Sequence, residues 1–118
     1  MDSFKFIFSE NTIQGNEPDD MTFEEVFNDL LQRSLDADCD VYLISCGCYG
    51  IALCNELKKQ GKRAIYVGGI LQLLFGLKGQ RWDSRSEINI HYNKYWKYPS
   101  KKPTNATMVE GGCYWGSK

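Results

Sequence analysis

Hydrophobic and polar positions in the first forty residues predict one strand and one amphipathic helix. The segment Phe4–Phe8 alternates bulky apolar residues with others, which is typical of a strand. From Phe23 onward, apolar residues recur at intervals of three and four, which indicates a helix with one apolar face. We place this helix at residues 22–35, with Thr22 and Glu25 forming a capping box at its start.

Strands and helices alternate through the middle of the chain. The apolar run 41–44 lacks alternation, which is typical of a strand buried on both faces of a parallel sheet. Helix-compatible sequence follows over 49–60 and is ended by Gly61. A further strand at 63–67 and a short apolar helix at 70–75 complete the pattern. This order predicts a parallel sheet with right-handed crossovers.

The pattern breaks after Lys78, where seven aromatic residues stand among Pro, Gly and Lys. Disordered tails rarely carry so many aromatic side chains. We therefore expect an ordered extension that packs back on the sheet, with a helix near residues 86–95. The expected fold class is α/β: a single small Rossmann-like three-layer domain over residues 1–118, with a short parallel sheet of three strands and an aromatic-rich C-terminal extension.

Composition places the chain among globular proteins. Its 118 residues are 42% hydrophobic and 25% charged, and the formal net charge is −1. This balance gives no general attraction to nucleic acid or membranes. No apolar run approaches the roughly 20 residues of a membrane span, and the charged start with Asp2 and Lys5 does not match a secretory signal. We expect a cytoplasmic domain with no membrane span and no nucleic-acid partner.

Five cysteines, an odd number, are expected to be reduced thiols in a cytosolic chain. The spacing of Cys46, Cys48 and Cys54 matches no usual zinc ligand set, and His91 is the only histidine. We therefore predict no metal site on these side chains. A cysteine at a helix start can be a nucleophile because its pKa is lowered there, but it would need a nearby base, and small buried thiols are the favoured interpretation.

The turn after the strand at 41–44 has the position of a G-x-G-x-x-G motif, with Ser45 at the first glycine. Gly47 would let a ligand approach the backbone, and Gly50 would let the helix pack close to the strand. Backbone amides near Cys48 at the helix start suit a phosphate. A tight strand–helix turn that binds nothing is the alternative.

The end of the next strand weakens the dinucleotide interpretation. An NAD site needs an acidic residue there to hold the ribose, and Tyr66-Val67-Gly68-Gly69 contains none. Because ligands of open α/β folds bind at the carboxyl ends of strands, Gly68 and Gly69 can admit a sugar or a phosphate. They can equally serve only to make the turn.

Polar and aromatic residues beyond that strand are further candidates. Gln72, Lys78 and Arg81 bring an amide and two cations toward the same edge, where they can neutralise a diphosphate. Trp82 can stack on a base or a sugar ring. Solvated cations and a packing tryptophan are the alternative. Glu110 is a weak candidate for a catalytic general base or an acceptor for a sugar hydroxyl, although such a carboxylate more often caps a loop.

These residues resemble a known family, the GT-D-fold-like glycosyltransferases of bacteria and viruses, in their C-terminal region. The resemblance covers nearly the whole chain and is most specific at Gln72–Trp82 and in the final Glu-Gly-Gly-Cys-Tyr-Trp. It also includes the segments Thr12–Asn16, Val41–Gly50, Lys62–Gly69, Tyr92–Trp96 and Val109–Trp115, with Pro99 and Pro103.

The resemblance implies a Rossmann-like domain that binds a nucleotide sugar and transfers the sugar in glycan assembly. It also implies a divalent Mn or Mg ion held by an upstream Asp-x-Glu motif, which this chain does not contain. The acidic cluster 17–20 does not match that motif, and Ser45 stands where the family usually has glycine. We expect no cofactor site within this chain and a domain that lacks the N-terminal half of the family.

The function expected from the sequence is therefore binding of a nucleotide sugar, with transfer of its sugar. Backbone amides of residues 45–50 would hold phosphate, Gly68 and Gly69 would admit the sugar, and Lys78 and Arg81 would balance charge. A non-catalytic binding or assembly module, or a part of a split enzyme, is the first alternative. An NAD-binding oxidoreductase is the second. The expected partners are the nucleotide sugar and either another copy of the chain or a separate N-terminal half.

Overall fold

The computed structural model describes residues 3–10, 12 and 20–116. Contacts between residues divide the chain into two compact units. The described part of the first unit comprises residues 3–10 and 20–68, and that of the second comprises residue 12 and residues 69–116. Both units contain helix, and the fold as a whole is mixed helix and strand, as the sequence predicts.

The first long helix, α1, spans Phe23–Ala37 and begins with the predicted capping box. The N–H of Glu25 donates to Oγ1 of Thr22 at 3.2 Å, and the N–H of Thr22 donates to Oε2 of Glu25 at 2.7 Å. Val26, Leu30 and Ser34, spaced four apart, are the buried residues of this helix. The predicted helix and its cap are confirmed.

Two parallel strands, β1 (Val41–Ile44) and β2 (Arg63–Tyr66), form the sheet. Val41 lies opposite Arg63 and Ile44 opposite Tyr66. The helix α2, Gly50–Lys59, connects the two strands. The parallel pairing and the crossover helix are therefore as the sequence predicts.

The predicted strand at Phe4–Phe8 is wrong, because residues 3–10 form no regular secondary structure. This segment is held to α1 by side chains instead. Nζ of Lys5 donates to the carbonyl of Ala37 at 2.6 Å, and Nη1 of Arg33 donates to the carbonyl of Phe8 at 2.8 Å. Ile7 packs against the core of the first unit. Phe4, Phe6 and Phe8 are 74%, 66% and 81% exposed, so the alternating residues do not form a buried strand face.

One face of the sheet is covered by helices in the first unit. Tyr42, Ile44 and Ala64 share a core with residues of α1 and α2. The other face of β1 is open, since Val41 and Leu43 are 44% and 42% exposed. The prediction that β1 is buried on both faces is therefore wrong, and the described first unit has two layers.

Short elements make up the second unit. Its helices are single turns, α3 (Leu71–Leu74), α4 (Gln80–Asp83) and α5 (Ser86–Asn89), and 3₁₀ turns follow at Ala106–Met108 and Glu110–Gly112. The helix predicted near 86–95 thus ends at Asn89. The segments around Gly76 and Lys97 are joined by hydrogen bonds, from Lys97 N–H to Gly76 O at 3.0 Å and from Lys78 N–H to Lys97 O at 2.8 Å. The second unit is therefore stabilised by backbone hydrogen bonds between separate segments, since its helices are short.

Two features that the sequence singled out fall mostly outside the described residues. Of the segment Thr12–Asn16 the structure describes only Thr12, and of the acidic cluster 17–20 only Asp20. Among the helices in the described ranges, none combines the length and the apolar composition needed to cross a bilayer.

Candidate functional site

The turn between β1 and α2 is open to solvent. Ser45, Gly47 and Cys48 are all exposed at the carboxyl end of β1. Gly47 has a φ of +51°, and a β-carbon on it would meet no atom within 4 Å. Because residues with a β-carbon rarely adopt this conformation, glycine both shapes the turn and leaves room beside its backbone for a ligand.

Two adjacent backbone donors in this turn have no hydrogen-bond acceptor among the residues that the structure describes. The N–H of Tyr49 donates to Cys46 O at 3.1 Å, and the N–H of Gly50 donates to Gly47 O. Within the described ranges, the N–H groups of Gly47 and Cys48 form no such bond. They stand immediately before α2, where the helix dipole is positive. Such a pair of donors suits an anion.

Tyr49 anchors this turn to α1. Its side chain is buried, and its ring stacks on that of Phe23 with 4.6 Å between centroids and lies 6.5 Å from the ring of Phe27. Sequence analysis did not identify this residue. The signal was an aromatic side chain inside a glycine-rich turn, combined with two phenylalanines four apart on one face of the preceding helix.

Tyr66 lies between two glycines of the candidate site. A β-carbon on Gly50 would lie 2.2 Å from Cε2 of Tyr66, so the ring packs directly on the start of α2. The other edge of the ring is 4.0 Å from the corresponding position on Gly68, whose φ is +72°. The first unit therefore places Gly50 and Gly68 at opposite edges of one partly exposed ring.

Cys46 and Cys48 differ in their surroundings. Burial, with a smaller contribution from Cys48, raises the pKa of the Cys46 thiol to about 11. Cys46 is therefore a neutral thiol at physiological pH, and a thiolate nucleophile is not expected there. Cys48 is exposed, and all five cysteines are free thiols. No three His, Cys, Asp or Glu side chains in the described residues are grouped so that they could hold a metal ion.

In the second unit, Arg81 is bound to other side chains. Its Nη1 donates to Oε2 of Glu110 and to the hydroxyl of Tyr114, both at 2.7 Å. The Tyr114 hydroxyl in turn donates to Oε1 of Glu110 at 3.3 Å. Tyr114 and Glu110 together raise the pKa of Arg81. Arg81, which the sequence predicted to bind a diphosphate, thus forms an ion pair with Glu110, the candidate general base.

The backbone around Glu110 has an unusual conformation. Glu110 has a φ of +46°, and Gly111 and Gly112 follow with φ of +69° and +77°. A left-handed conformation costs a residue with a β-carbon about 1 kcal/mol. The two glycines adopt it freely, and the resulting turn directs the Glu110 carboxylate to Arg81.

The side-chain amide of Gln72 is used inside the second unit. Its Nε2 donates to the carbonyls of Lys78 at 2.9 Å and Tyr114 at 3.1 Å. The N–H of Arg81 donates to Cys113 O at 2.8 Å. Gln72 therefore joins segments of the unit that are far apart in the sequence, which gives it a structural role.

Lys78 lies beside a group of residues that sequence analysis missed. Its ammonium is 5.0 Å from the ring centroid of Tyr92 and 5.6 Å from that of Tyr98. The Tyr92 hydroxyl donates to Oδ1 of Asp83 at 3.3 Å, and the Tyr98 hydroxyl donates to Oδ2 at 2.6 Å. The hydrogen bond to Asp83 is the largest cause that raises the pKa of Tyr98, to about 12. The aromatic-rich composition was the only sequence signal for this group.

Trp82 is buried, at 5% exposure, rather than open for stacking on a ligand. It meets the ring of Tyr114 edge-on with 5.8 Å between centroids. A β-carbon on Gly79 would lie 2.7 Å from Cζ3 of Trp82, and one on Gly69 would lie 2.3 Å from Cε1 of Tyr114. Both glycines are thus needed for close packing of aromatic rings.

The predicted site residues fall into two sets. The first unit holds Ser45, Gly47, Cys48, Gly50 and Gly68, and the second holds Gly69, Gln72, Lys78, Arg81, Trp82 and Glu110. The first set presents unbonded backbone donors in an exposed turn. In the second set, the polar side chains are bonded to one another or to neighbouring backbone and rings. The first set is therefore the better candidate for an anionic ligand.

Comparisons of the chain with protein-family models, with curated proteins and with solved structures each find no match.

Proposed function

We propose that the first unit belongs to a Rossmann-like, glycosyltransferase-like domain and binds the phosphates of a nucleotide sugar at residues 45–50. The observation that carries this proposal is the pair of unbonded N–H groups on Gly47 and Cys48. They lie in an exposed turn at the carboxyl end of a parallel strand, where ligands of open α/β folds bind. The resemblance to GT-D-fold-like glycosyltransferases supports a nucleotide sugar as the ligand.

The surroundings of Tyr66 support a ligand larger than phosphate. Tyr66 is 42% exposed, and its ring lies between Gly50 and Gly68. A planar phenol ring next to a phosphate site offers a surface for a sugar or a base, with a hydroxyl to orient it. In the proposal, Tyr66 contacts the part of the ligand that extends from the phosphates.

Transfer of the sugar is a separate step from binding. The departing diphosphate needs positive charge, which a divalent ion supplies in the proposal. The acidic side chains for such an ion would come from the upstream motif that the resemblance implies. Binding by this chain and catalysis by a complete enzyme can therefore be tested independently.

Thermal unfolding with different ligands tests the binding proposal. UDP-sugars, GDP-sugars and NAD are each added to the full chain, with and without manganese. We expect nucleotide sugars to raise the midpoint and NAD to leave it unchanged, because no acidic residue follows β2 to hold a ribose. Stabilisation by NAD alone would instead establish the oxidoreductase alternative.

Two glycine variants provide a matched comparison. Gly47 and Gly61 have φ of +51° and +76°, and a β-carbon on either would meet no atom within 4 Å. Alanine at either position should therefore lower the free energy of unfolding by about 1 kcal/mol through backbone strain. Only Gly47→Ala should abolish the ligand-induced shift, because its β-carbon would occupy the open space beside the turn backbone where the ligand is proposed to bind, whereas Gly61 lies outside that site. Equal loss of the shift in both variants, or its retention in Gly47→Ala, contradicts the proposal.

The open face of the sheet favours the assembly module as a second candidate. Val41, Leu43 and Ile65 are 44%, 42% and 54% exposed, whereas parallel sheets are normally covered on both faces. In this candidate, the same face of another copy covers these side chains. Light scattering after size-exclusion chromatography tests it, because the parent chain should be a dimer and Leu43→Gln should be a monomer. This candidate also predicts that no ligand raises the thermal midpoint of the parent chain. A monomeric parent chain would rule this candidate out.

A further inference from the structure

Charge is strongly segregated along this nearly neutral chain. Residues 1–40 contain eleven acidic and two basic residues, whereas residues 78–118 contain eight basic and three acidic residues. The whole-chain net charge of −1 therefore conceals a basic C-terminal part. An anionic partner would interact with the local positive charge of that part, which the net charge of the whole chain does not describe.

The basic residues are concentrated in the lysine–tyrosine segment, which we define as residues 94–102. It contains Lys94, Lys97, Lys101 and Lys102 and no acidic residue, and all four lysines are exposed. In the part of the chain that the structure describes, none of the four forms an ion pair. Elsewhere, carboxylates pair with Arg33, Lys59, Lys62, Arg81 and Arg85. Four unneutralised charges in nine residues create a local positive field.

Exposed tyrosine side chains stand among these lysines in the sequence. Tyr95 is 74% exposed and Tyr98 44%. Tyrosine is enriched where proteins meet the headgroup region of a bilayer, because its ring is apolar and its hydroxyl stays wet. Lysine complements it there, since its stem covers apolar surface while its ammonium reaches the headgroups.

The lysine–tyrosine segment belongs to an ordered part of the second unit. The N–H of Lys97 donates to Gly76 O at 3.0 Å, and the N–H of Lys78 donates to Lys97 O at 2.8 Å. The Tyr98 hydroxyl donates to Asp83 at 2.6 Å. The backbone around Lys97 is therefore fixed while the four lysines remain exposed, so that binding would require little ordering of this part of the chain.

We propose that the lysine–tyrosine segment binds the surface of an anionic membrane, with the lysines on lipid phosphates and Tyr95 in the headgroup layer. Single-stranded nucleic acid fits this segment less well, because it needs successive open ring faces. Here the Lys94 ammonium lies 5.0 Å from the ring centroid of Tyr95, and the Lys78 ammonium lies near the ring of Tyr98. The inference goes beyond the proposed ligand of residues 45–50 and does not depend on it.

Sedimentation with lipid vesicles tests the inference on the full chain. One set of vesicles contains phosphatidylcholine alone, and the other contains phosphatidylcholine and phosphatidylglycerol in equal amounts. We expect binding only to the anionic set, with affinity falling as salt is added, since exposed charges are screened beyond about 10 Å at 0.1 M salt. Equal binding to both sets, or no binding to the anionic set at low salt, overturns the inference.

Lysine variants locate the binding surface. Each lysine near an anionic surface contributes about fivefold in affinity, so Lys94→Gln with Lys97→Gln should weaken binding by about 25-fold. The control, Lys58→Gln with Lys59→Gln, changes the net charge equally but on α2, and it should bind as the parent chain does. Circular dichroism verifies that each variant is folded. Equal weakening in the control pair, or binding of a single-stranded oligonucleotide by a chain that ignores anionic vesicles, overturns the inference.

Discussion

Tyr66 occupies the space that a side chain on Gly50 would need, since a β-carbon there would lie 2.2 Å from Cε2 of the ring. The first residue of α2 therefore packs on the last residue of β2 through a contact that only glycine permits. The ring also reaches Gly68, so its position links the helix start to the end of the sheet. Strand, turn and helix are held together at the place where the phosphate ligand is proposed.

Gly50→Ala should displace the Tyr66 ring and lower the free energy of unfolding by about 1–2 kcal/mol, as overpacking does elsewhere. In a Tyr66→Ala background the same change should be neutral or stabilising, because alanine favours helix more than glycine does. Chemical denaturation of the four chains of this double-mutant cycle measures the coupling. Equal destabilisation by Gly50→Ala in both backgrounds would show that Tyr66 is not the obstacle.

Thr22→Ala should lower the free energy of unfolding by about 1 kcal/mol, because it removes the oxygen that caps the Glu25 N–H of α1. Thr22→Ser keeps a hydroxyl and should retain most of the stability. Denaturant unfolding at neutral pH compares the three chains. If serine and alanine were equally destabilising, the loss would come from the threonine methyl group and not from the cap.

The same capping box predicts a pH dependence. Hydrogen bonds from Thr22 lower the pKa of Glu25 below its usual 4.5. The stability that this carboxylate contributes is therefore present above the unfolded pKa and is lost as pH falls through the folded value. Glu25→Gln should make stability less sensitive to acid in that window, which unfolding curves at a series of acidic pH values would reveal.

The two thiols of the turn should react at different rates. Because the pKa of Cys46 is about 11, only about one part in a thousand of it is thiolate at pH 8. Cys48 is exposed, so iodoacetamide should modify it well before Cys46. Mass spectrometry of peptides measures both rates, and unfolding in urea should bring them closer together. Modification of Cys46 as fast as Cys48 in the folded chain would contradict the burial of its thiol.

Local signals in the sequence predicted elements that depend on nearby residues. The capping box at Thr22 fixed the start of α1, and Gly61 lies just beyond the end of α2. The strand predicted at Phe4–Phe8 failed because alternation says nothing about a partner, and this segment is held by Lys5 and Arg33 instead. Whether β1 is buried on one face or on both also depends on contacts with residues that are distant in the sequence, which the apolar run 41–44 does not report.

The candidate site was predictable to a similar degree. Gly47 and Gly50 could be recognised from the spacing of their turn, because that motif is local. The ring of Tyr66 against Gly50 and the pairing of Arg81 with Glu110 join residues that are 16 and 29 positions apart. Periodicity and composition do not report such contacts. For this reason, Arg81 was predicted as a phosphate ligand, whereas in the structure it binds a carboxylate.

Tyr114→Phe should destabilise the second unit by about 1 kcal/mol, because it removes the hydroxyl that accepts from Arg81 and donates to Glu110. The ring remains to pack on Gly69 and Trp82, so no cavity forms. Glu110→Gln in the same background should cost less than it does in the parent chain, since the Tyr114 hydroxyl, which binds Glu110 together with Arg81, is already gone. Additive losses in the double variant would show that the two side chains act independently.

Tyr98→Phe should cost less stability at alkaline pH than at neutral pH. Near neutrality it removes the hydrogen bond to Asp83, which we expect to cost about 1 kcal/mol at this partly exposed position. Above pH 10 the parent chain itself loses stability, because the pKa of Tyr98 is about 12 in the folded chain and 10 when unfolded. The unfolded state then releases the proton first, so stability falls as pH rises between these values. The variant lacks this slope, and its deficit should shrink in unfolding curves recorded from pH 8 to 11. A constant deficit across that range would mean that the Tyr98 hydroxyl is not held by Asp83.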